Sequence, residues 1–132
     1  MMRSPIRISS LLLKRVDGPE TEIAPTTRPS SSRIGAATAT GHGEEVMRIV
    51  GSHTVVELMR QGYSPEEACK KAVERIITIA KNKNKSLDEL QIGFIAINKK
   101  GEHGAYCLQK GFNYAVYSPE INNQLIDAKH II

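Results

Sequence analysis

The sequence predicts an α+β fold in which two amphipathic helices pack on one face of an antiparallel sheet. Two observations carry this prediction: apolar residues follow helical spacing up to about residue 80, and apolar strand-like runs separated by polar turns follow from residue 92. Because the helices precede closely spaced strands, helices layered on a sheet are favoured over alternating βαβ units. A chain of 132 residues, with 40% apolar and 24% charged residues, suits one domain.

Residues 1–33 differ in composition from the rest of the chain. They hold four of the six prolines, and six Lys/Arg against three Asp/Glu, whereas residues 34–132 hold twelve against eleven. Their apolar residues show no sustained period and cannot offset an ordering entropy of about 1–2 kcal/mol per residue. We therefore expect a disordered head over residues 1–33 and one folded unit over residues 34–132.

Composition also excludes several classes of function. The nearly neutral net charge of residues 34–132 and the aromatic content of 5% argue against nucleic-acid binding. No apolar run reaches the roughly 18 residues that span a bilayer, and the short apolar run after Arg7 lacks the cleavage site of a signal peptide. We expect no membrane segment and slightly favour a cytoplasmic location. Because Cys69 and Cys107 lack metal-ligand spacing, we expect reduced, buried thiols, no metal site and no cofactor.

The two helices are predicted from periodicity and capping residues. Apolar residues from Glu44 to about Gln61 form a broad stripe at helical spacing, which indicates one helix with a wide buried face. A second helix begins after Ser64, which forms a capping box with Glu67 and is followed by Pro65 at the first helical position. The inner face of this second helix is apolar as far as residue 80.

Three strands are predicted in the second half of the chain. Ile92–Ile97 forms a buried strand, Asn98–Gly101 a hairpin turn, His103–Leu108 the returning strand and Phe112–Tyr117 a third strand of the same meander. The first of these strands is apolar on both faces, so both faces need cover. We therefore expect a second sheet that is missing from this chain, and a missing subunit or a second copy of the chain to supply it.

A run of small residues, Ile34–Gly43, leads directly into the first predicted helix. Glycines at 41 and 43 leave the main chain open to a ligand, and the first turn of a helix has four N–H groups without intrahelical partners. Thr40, Gly41, His42 and Gly43 could therefore bind a carboxylate, a phosphate or the oxyanion of an acyl-transfer intermediate. The alternative is an ordinary turn from a strand into a helix.

Runs distributed over residues 34–117 form a far more specific pattern than this turn alone. The runs are Ile34–Val46, Val55–Met59, Ala68–Lys70, Ala72–Ile76, Gly93–Ala96 and Gly104–Cys107. With them, about two thirds of the chain resembles the C-terminal part of glycosylasparaginases, a group of N-terminal-nucleophile hydrolases.

This resemblance implies a four-layer αββα sandwich, of which the present chain would form a part. The family's precursor cuts itself before a threonine, which becomes the nucleophile and uses its own α-amine as the base. The substrate is an asparagine amide bearing N-acetylglucosamine, and the products are aspartate and a glycosylamine. The resemblance places the Thr40 hydroxyl and the Gly41 N–H in the oxyanion hole, with Gly43 in the same substrate-binding turn. Because His42 has no acidic or cysteine partner at ligand spacing, we expect it to shape this turn rather than to transfer protons.

The sequence departs from the family upstream of Ile34. The self-cleaving Asp-Thr junction, the nucleophile and the Arg- and Asp-containing substrate-binding stretch are not recognisable there, and none of Thr21, Thr26 and Thr27 follows an Asp. We therefore expect a truncated amidohydrolase that has no recognisable catalytic nucleophile and is inactive by itself.

Other interpretations remain open at this point. A separate chain could supply the nucleophile. The completed site would then bind a small-molecule substrate such as aspartylglucosamine or a related asparagine amide. Alternatively, the chain is a non-catalytic anion-binding or interaction module. The sequence does not discriminate between the glycosylated amide, free asparagine and an isoaspartyl peptide as the family substrate.

Overall fold

The computed structural model describes residues 30–31, 33–120 and 122–132. In chain order the elements are β1 (Ser30–Ser31), β2 (Gly35–Gly41), α1 (Gly43–Arg48), α2 (Gly51–Arg60), α3 (Pro65–Asn82), β3 (Ile92–Asn98), β4 (His103–Cys107), β5 (Asn113–Val116), β6 (Gln124–Asp127) and β7 (Lys129–His130). The predicted α+β class is confirmed. The predicted head over residues 1–33 lies almost wholly outside the described residues and stays a prediction.

Five strands form the main sheet in the order β1-β2-β3-β4-β7. The neighbours from β1 to β4 are antiparallel, as predicted, whereas β7 runs parallel to β4. The sheet is therefore mixed, and the prediction of an antiparallel sheet is wrong at this edge. The longest ladder joins β2 to β3 over seven residue pairs, from Gly35 opposite Asn98 to Gly41 opposite Ile92. This ladder places the end of the small-residue run beside the beginning of β3.

Helices α2 and α3 cover one face of this sheet. Phe94 of β3 and Ala37 of β2 point into the resulting core, and both are fully buried. The beginning of α3 approaches β4 very closely, because a Cβ atom on Gly104 would lie 2.5 Å from the backbone nitrogen of Glu66. The small residues of the sheet therefore set how closely the helix layer packs.

The predicted start of the second helix is confirmed in detail. The Ser64 hydroxyl accepts the Glu67 N–H, and the Glu67 carboxylate accepts the Ser64 N–H, each at 3.2 Å. Pro65 occupies the first helical position. Every partner in this capping box lies within four consecutive residues, which is why the sequence alone predicted it.

The prediction of one helix from Glu44 to Gln61 is wrong, because the chain breaks at Val50. This residue has a left-handed backbone conformation, with φ of 49°. Gly51 packs directly on the sheet, since a Cβ atom there would lie 2.7 Å from the Phe94 ring. Across the break, the Thr54 hydroxyl donates to the Ile49 carbonyl oxygen at 2.6 Å. Close packing between helix and sheet therefore overrides a helical sequence pattern.

The third predicted strand forms, but it leaves the main sheet. After Gly111, which has a φ of 95°, the chain crosses to the other face of the sheet, where β5 pairs with β6 in a two-stranded antiparallel ribbon. Phe112 and Tyr114 pack there against a cluster that includes Ile95 and Ile97. Both faces of the main sheet are thus covered, as the apolar pattern of β3 predicted. The expectation that the chain provides no second sheet is wrong, because β5 and β6 form a small one.

Replacing Val50 with glycine is expected to stabilise the fold. Glycine adopts positive φ without the steric cost that a β-branched residue pays, and Val50 is 63% exposed, so few contacts are lost. We expect the free energy of unfolding of Val50→Gly to rise by about 0.5–1 kcal/mol in urea denaturation. Val50→Ala is the control and should gain less, because alanine keeps the Cβ atom; a less stable glycine variant would contradict the prediction.

Candidate active site

Thr40 and Gly41 lie at the end of β2, where the chain leaves the sheet for α1. Thr40 pairs with Gly93 and Gly41 pairs with Ile92. Gly41 has a φ of 106°, and a Cβ atom at this position would overlap the carbonyl group of Gln91. Glycine at position 41 is therefore required by the chain's own backbone, whether or not a ligand is present.

His42 fixes the turn that follows Gly41. Its backbone N–H donates to the Gln91 carbonyl at 2.8 Å, and its ring Nδ1 accepts the Gln91 N–H at 3.0 Å. Because Nδ1 is an acceptor here, it carries no proton in this arrangement. The main-chain N–H of His42 is thus already satisfied and is not offered to a ligand.

The bonding pattern of the ladder determines which N–H groups remain available. His42 bonds to Gln91, and Lys99 bonds to Ile34 at the other end of the same ladder. In an antiparallel pair such bonds recur at every second residue, so the main-chain N–H of Thr40 also points toward β3. The N–H groups of Ala39 and Gly41 therefore point away from β3, toward the outer edge of β2.

Two separate depressions meet at this turn. A cavity of about 220 Å³ is lined by Thr40 and Gly41 on one side and by the segment from Gly111 to Asn113 on the other. A wider depression of about 540 Å³ is lined by Gly41, His42 and Gly43. The structure thus divides the four predicted site residues, and only Gly41 lies in both depressions.

The charges around the wider depression do not favour an anion. Its lining includes three carboxylates, from Glu44, Glu45 and Glu89, and a single cation, Lys85. Helix α1 is only six residues long, so it also gives a weaker dipole than the predicted eighteen-residue helix. The smaller cavity has no charged side chain in its lining, and polar atoms come from Thr40, Gln91, Gln109 and Asn113.

A buried carboxylate anchors α1 to the chain after α3. Glu45 is only 3% exposed, and its Oε1 accepts a hydrogen bond from Lys85 Nζ at 2.6 Å, with Arg48 Nε at 3.6 Å from Oε2. The hydrogen bond from Lys85 lowers the pKa of Glu45, although desolvation of the buried carboxylate opposes this shift. Sequence analysis missed this pair, since forty positions separate its members.

Gln109 holds the segment that precedes Gln91. Its Nε2 lies 3.2, 2.6 and 2.9 Å from the carbonyl oxygens of Leu87, Asp88 and Leu90. The same residue lines the smaller cavity. Gln109 therefore couples the wall of the cavity to the segment that binds His42, a role for which the sequence carried no signal.

Thiols and possible metal ligands complete the description of the site. Cys69 and Cys107 are both buried and are not joined to each other by a disulfide, as the sequence predicted, and burial raises the pKa of the Cys69 thiol. Within residues 30–31, 33–120 and 122–132, no cluster of three or more His, Cys, Asp or Glu side chains is arranged to hold a metal ion. No helix in this part of the chain is both long and apolar enough to cross a membrane.

Comparison with known proteins assigns the family. A family model described as asparaginase matches residues 30–126. The chain belongs to the asparaginase family. This asparaginase-family chain is 63% identical, over 91 residues, to an N(4)-(β-N-acetylglucosaminyl)-L-asparaginase of Elizabethkingia miricola, an alignment that covers 69% of the chain and 27% of the relative. The resemblance to glycosylasparaginases is therefore confirmed.

Two further relatives show the breadth of the family. A probable isoaspartyl peptidase/L-asparaginase 3 of Arabidopsis thaliana is 34% identical over 81% of the chain and 27% of the relative. An N(4)-(β-N-acetylglucosaminyl)-L-asparaginase of Rattus norvegicus is 34% identical over 72% of the chain and 26% of the relative. The asparaginase-family chain thus spans about a quarter of the length of the curated relatives that it matches.

Removing the buried charge of Glu45 is expected to weaken the fold in a pH-dependent manner. Because the pKa of Glu45 is lowered in the folded state, its stabilising effect is present above the pKa of a free glutamate, about 4.3, and is lost as the pH falls through the folded-state value. We expect Glu45→Gln to lower the free energy of unfolding at pH 7 by about 1–2 kcal/mol.

Urea denaturation between pH 7 and pH 3 measures this effect. The difference between the wild type and Glu45→Gln should shrink as the pH falls below about 4. Glu44→Gln is the matched control, since it removes the same charge from an exposed neighbour on the same helix. Equal losses of stability in the two variants would show that the contact with Lys85 contributes nothing.

Proposed function

We propose that this chain provides the oxyanion-binding part of an asparaginase-type amidohydrolase site. The observation that carries the proposal is the position of Thr40 and Gly41 at the end of β2, beside a cavity without charged lining residues, in an asparaginase-family chain. The Thr40 hydroxyl and the Gly41 N–H are the two donors. They stabilise the negative charge that develops on the amide oxygen when the amide is attacked.

Two features of the site support these two roles. The N–H of Gly41 points away from β3, so no carbonyl group of β3 accepts a hydrogen bond from it. His42 and Gln91 hold the turn through two hydrogen bonds, which keeps the donors in place without help from a substrate. Since donors that are already oriented need no reorganisation during the reaction, their electrostatic effect is largest in such a preorganised site.

The proposed substrate is an asparagine whose side-chain amide bears N-acetylglucosamine. The relative with 63% identity has this activity in its name, whereas the Arabidopsis relative is named for isoaspartyl peptides and L-asparagine. The cavity of about 220 Å³ is smaller than the roughly 300–1,000 Å³ pockets that enclose drug-sized ligands. It therefore suits the amide end of the substrate, and the sugar lies outside it.

The attacking threonine of the family has no recognisable counterpart in these 132 residues. The complete site therefore requires a further strand and further layers of the four-layer αββα sandwich that the family resemblance implies. The five-stranded sheet, the helices α2 and α3 and the β5–β6 ribbon support the proposal that this chain forms part of such a sandwich. We propose that the 132-residue chain stabilises the negative charge on the reacting amide oxygen but does not catalyse hydrolysis by itself.

The purified 132-residue chain is expected not to hydrolyse aspartylglucosamine. Release of aspartate can be followed by a coupled assay over hours at high protein concentration, with the intact Elizabethkingia relative as the positive control. Turnover by the chain alone that survives repeated purification would show that it contains its own nucleophile.

Removing the hydroxyl of Thr40 is expected to impair catalysis in an assembled site. In a chimera of the Elizabethkingia relative whose aligned segment is replaced by the matching residues of this chain, Thr40→Val should lower kcat by about 10²–10³-fold. KM should change little, because the hydroxyl acts mainly on charge that develops in the transition state. Steady-state kinetics with aspartylglucosamine provides the measurement.

Thr38→Val is the matched control for this prediction. Thr38 lies two residues earlier on the same face of β2, is half-buried like Thr40, and does not line the cavity. Its substitution should leave kcat within about twofold of the unmodified chimera, since no donor of the site is removed. Equal losses in both variants, or none in Thr40→Val, would remove Thr40 from the oxyanion hole.

A further inference from the structure

His42 is the N-cap residue of α1, yet its side chain does not cap that helix. A side chain at this position usually accepts an N–H from the first turn of its own helix. The ring of His42 instead reaches the chain before β3, where its Nδ1 lies 3.0 Å from the main-chain nitrogen of Gln91. The carbonyl oxygen of His42 accepts from Glu45 at 3.1 Å and from Val46 at 3.3 Å. His42 therefore joins the beginning of α1 to the end of the β2–β3 ladder.

We propose that His42 is a positioning residue, which holds Gly41 in the orientation that the reaction needs and does so only while its ring is neutral. In that state Nδ1 accepts the Gln91 N–H, and the proton of the ring lies on Nε2. The inference rests on the proposed function for the reaction that Gly41 serves. It rests on the contact between His42 and Gln91 for the way in which the turn is held.

The residue before His42 is the one that needs to be held. Gly41 has a φ of 106°, and glycine adopts positive and negative φ with similar ease. Its neighbour is bonded twice to one residue, because the His42 N–H donates to the Gln91 carbonyl at 2.8 Å and the ring accepts the Gln91 N–H. Two bonds fix a direction, whereas a single bond permits rotation about it. Without the ring contact, the peptide groups beside Gly41 could rotate and its N–H would lose a fixed direction.

The partner of the ring is itself held in place. Gln109 Nε2 lies 2.6 Å from the carbonyl oxygen of Asp88 and 2.9 Å from that of Leu90, directly before Gln91. Directly after Gln91 the chain enters β3. The ring of His42 is therefore bonded to a residue that is anchored on both sides, and this contact can keep the turn ordered before any substrate binds.

Protonation of the ring removes this contact. A charged imidazole carries a proton on both nitrogens, so Nδ1 becomes a donor that faces another donor, the Gln91 N–H. The charged groups that line the depression beside His42 come from α1 and from the segment after α3, and they are Glu44, Glu45, Lys85 and Glu89. Substitution of His42 leaves all four of these groups in place, so variants at this position report on the ring alone.

Nuclear magnetic resonance of the isotope-labelled, full 132-residue chain tests the contact directly. While the ring is neutral, a scalar coupling across the hydrogen bond should join the main-chain nitrogen of Gln91 to His42 Nδ1, and the ring proton should lie on Nε2. The exposed ring of His53 on α2 is the reference and should show no such coupling. A neutral His42 ring with its proton on Nδ1, or an unprotected Gln91 N–H, would overturn the proposal.

A pH titration of the same chain separates this contact from general acid unfolding. Protection of the Gln91 N–H from exchange should fall over the pH range in which the His42 ring gains its second proton. In His42→Asn the acceptor Oδ1 lies the same number of bonds from Cα as Nδ1 and does not titrate, so protection should persist over that range. Loss of protection at the same pH in both proteins, or in neither, would overturn the proposal.

Steady-state kinetics in the chimera described above tests the effect on catalysis. His42→Leu removes the acceptor and should lower kcat about three- to tenfold, the loss expected for one neutral hydrogen bond, with little change in KM. His42→Asn should recover most of this loss, whereas His53→Leu, the same substitution at an exposed position of α2, should leave kcat within about twofold. An unchanged kcat in a folded His42→Leu variant would overturn the proposal, as would a protected Gln91 N–H in His42→Asn without recovery of kcat.

The two kinds of measurement distinguish this inference from the proposed function. An active chimera that depends on Thr40 but not on His42 would overturn the positioning role and leave the proposed function standing. A chimera that does not depend on Thr40, combined with the expected coupling and titration of the 132-residue chain, would do the reverse for the contact between His42 and Gln91. If His42→Leu does not fold, the titrations of the wild type and His42→Asn still decide whether the neutral ring holds the turn.

Discussion

The antiparallel ladder between β2 and β3 is the constraint on which the rest of the molecule depends. It sets Thr40 opposite Gly93 and Gly41 opposite Ile92, and its last bond joins His42 to Gln91. Helices α2 and α3 pack on one face of this ladder and the β5–β6 ribbon on the other. The candidate site therefore lies where this pair of strands ends, and a shift in register would relocate both Thr40 and Gly41.

Small residues along the ladder allow the layers to approach one another. Gly51 packs on the Phe94 ring, Gly104 packs on the backbone of α3, and Gly93 leaves room for the Phe112 ring, which would lie 3.2 Å from a Cβ atom there. Each contact joins segments that are distant in sequence. The spacing between the sheet and the layers packed on it therefore depends on these glycines as well as on the large side chains of the core.

The sequence predicted the features that depend on neighbouring residues. The capping box of α3, the hairpin turn after β3 and the buried strand Ile92–Ile97 all follow from local spacing, and the structure contains each of them. The helix break at Val50 and the departure of β5 from the main sheet depend instead on contacts across the fold. No periodicity in the sequence records such contacts, so both were mispredicted.

In the candidate site, too, the sequence predicted local features and missed contacts between distant segments. Thr40 and Gly41 were singled out from the sequence, and they line one cavity that has no charged side chain in its lining. The neighbouring depression, beside Gly43, is lined by three carboxylates. The supporting interactions of Glu45 with Lys85 and of Gln109 with three carbonyl groups could not be anticipated, because each joins segments far apart in the chain. The sequence singled out the two proposed donors, and the structure shows which contacts hold the segments around them.

The connectivity of the central ladder has a consequence for folding kinetics. β2 is synthesised well before β3, and the whole of α2 and α3 lies between the two strands. Loop-closure entropy makes such distant pairing slow, so the helical hairpin, whose contacts are local, can form first. Until residue 98 has left the ribosome, β2 lacks its full pairing with β3, so the backbone groups that face β3 have no partner from that strand during translation.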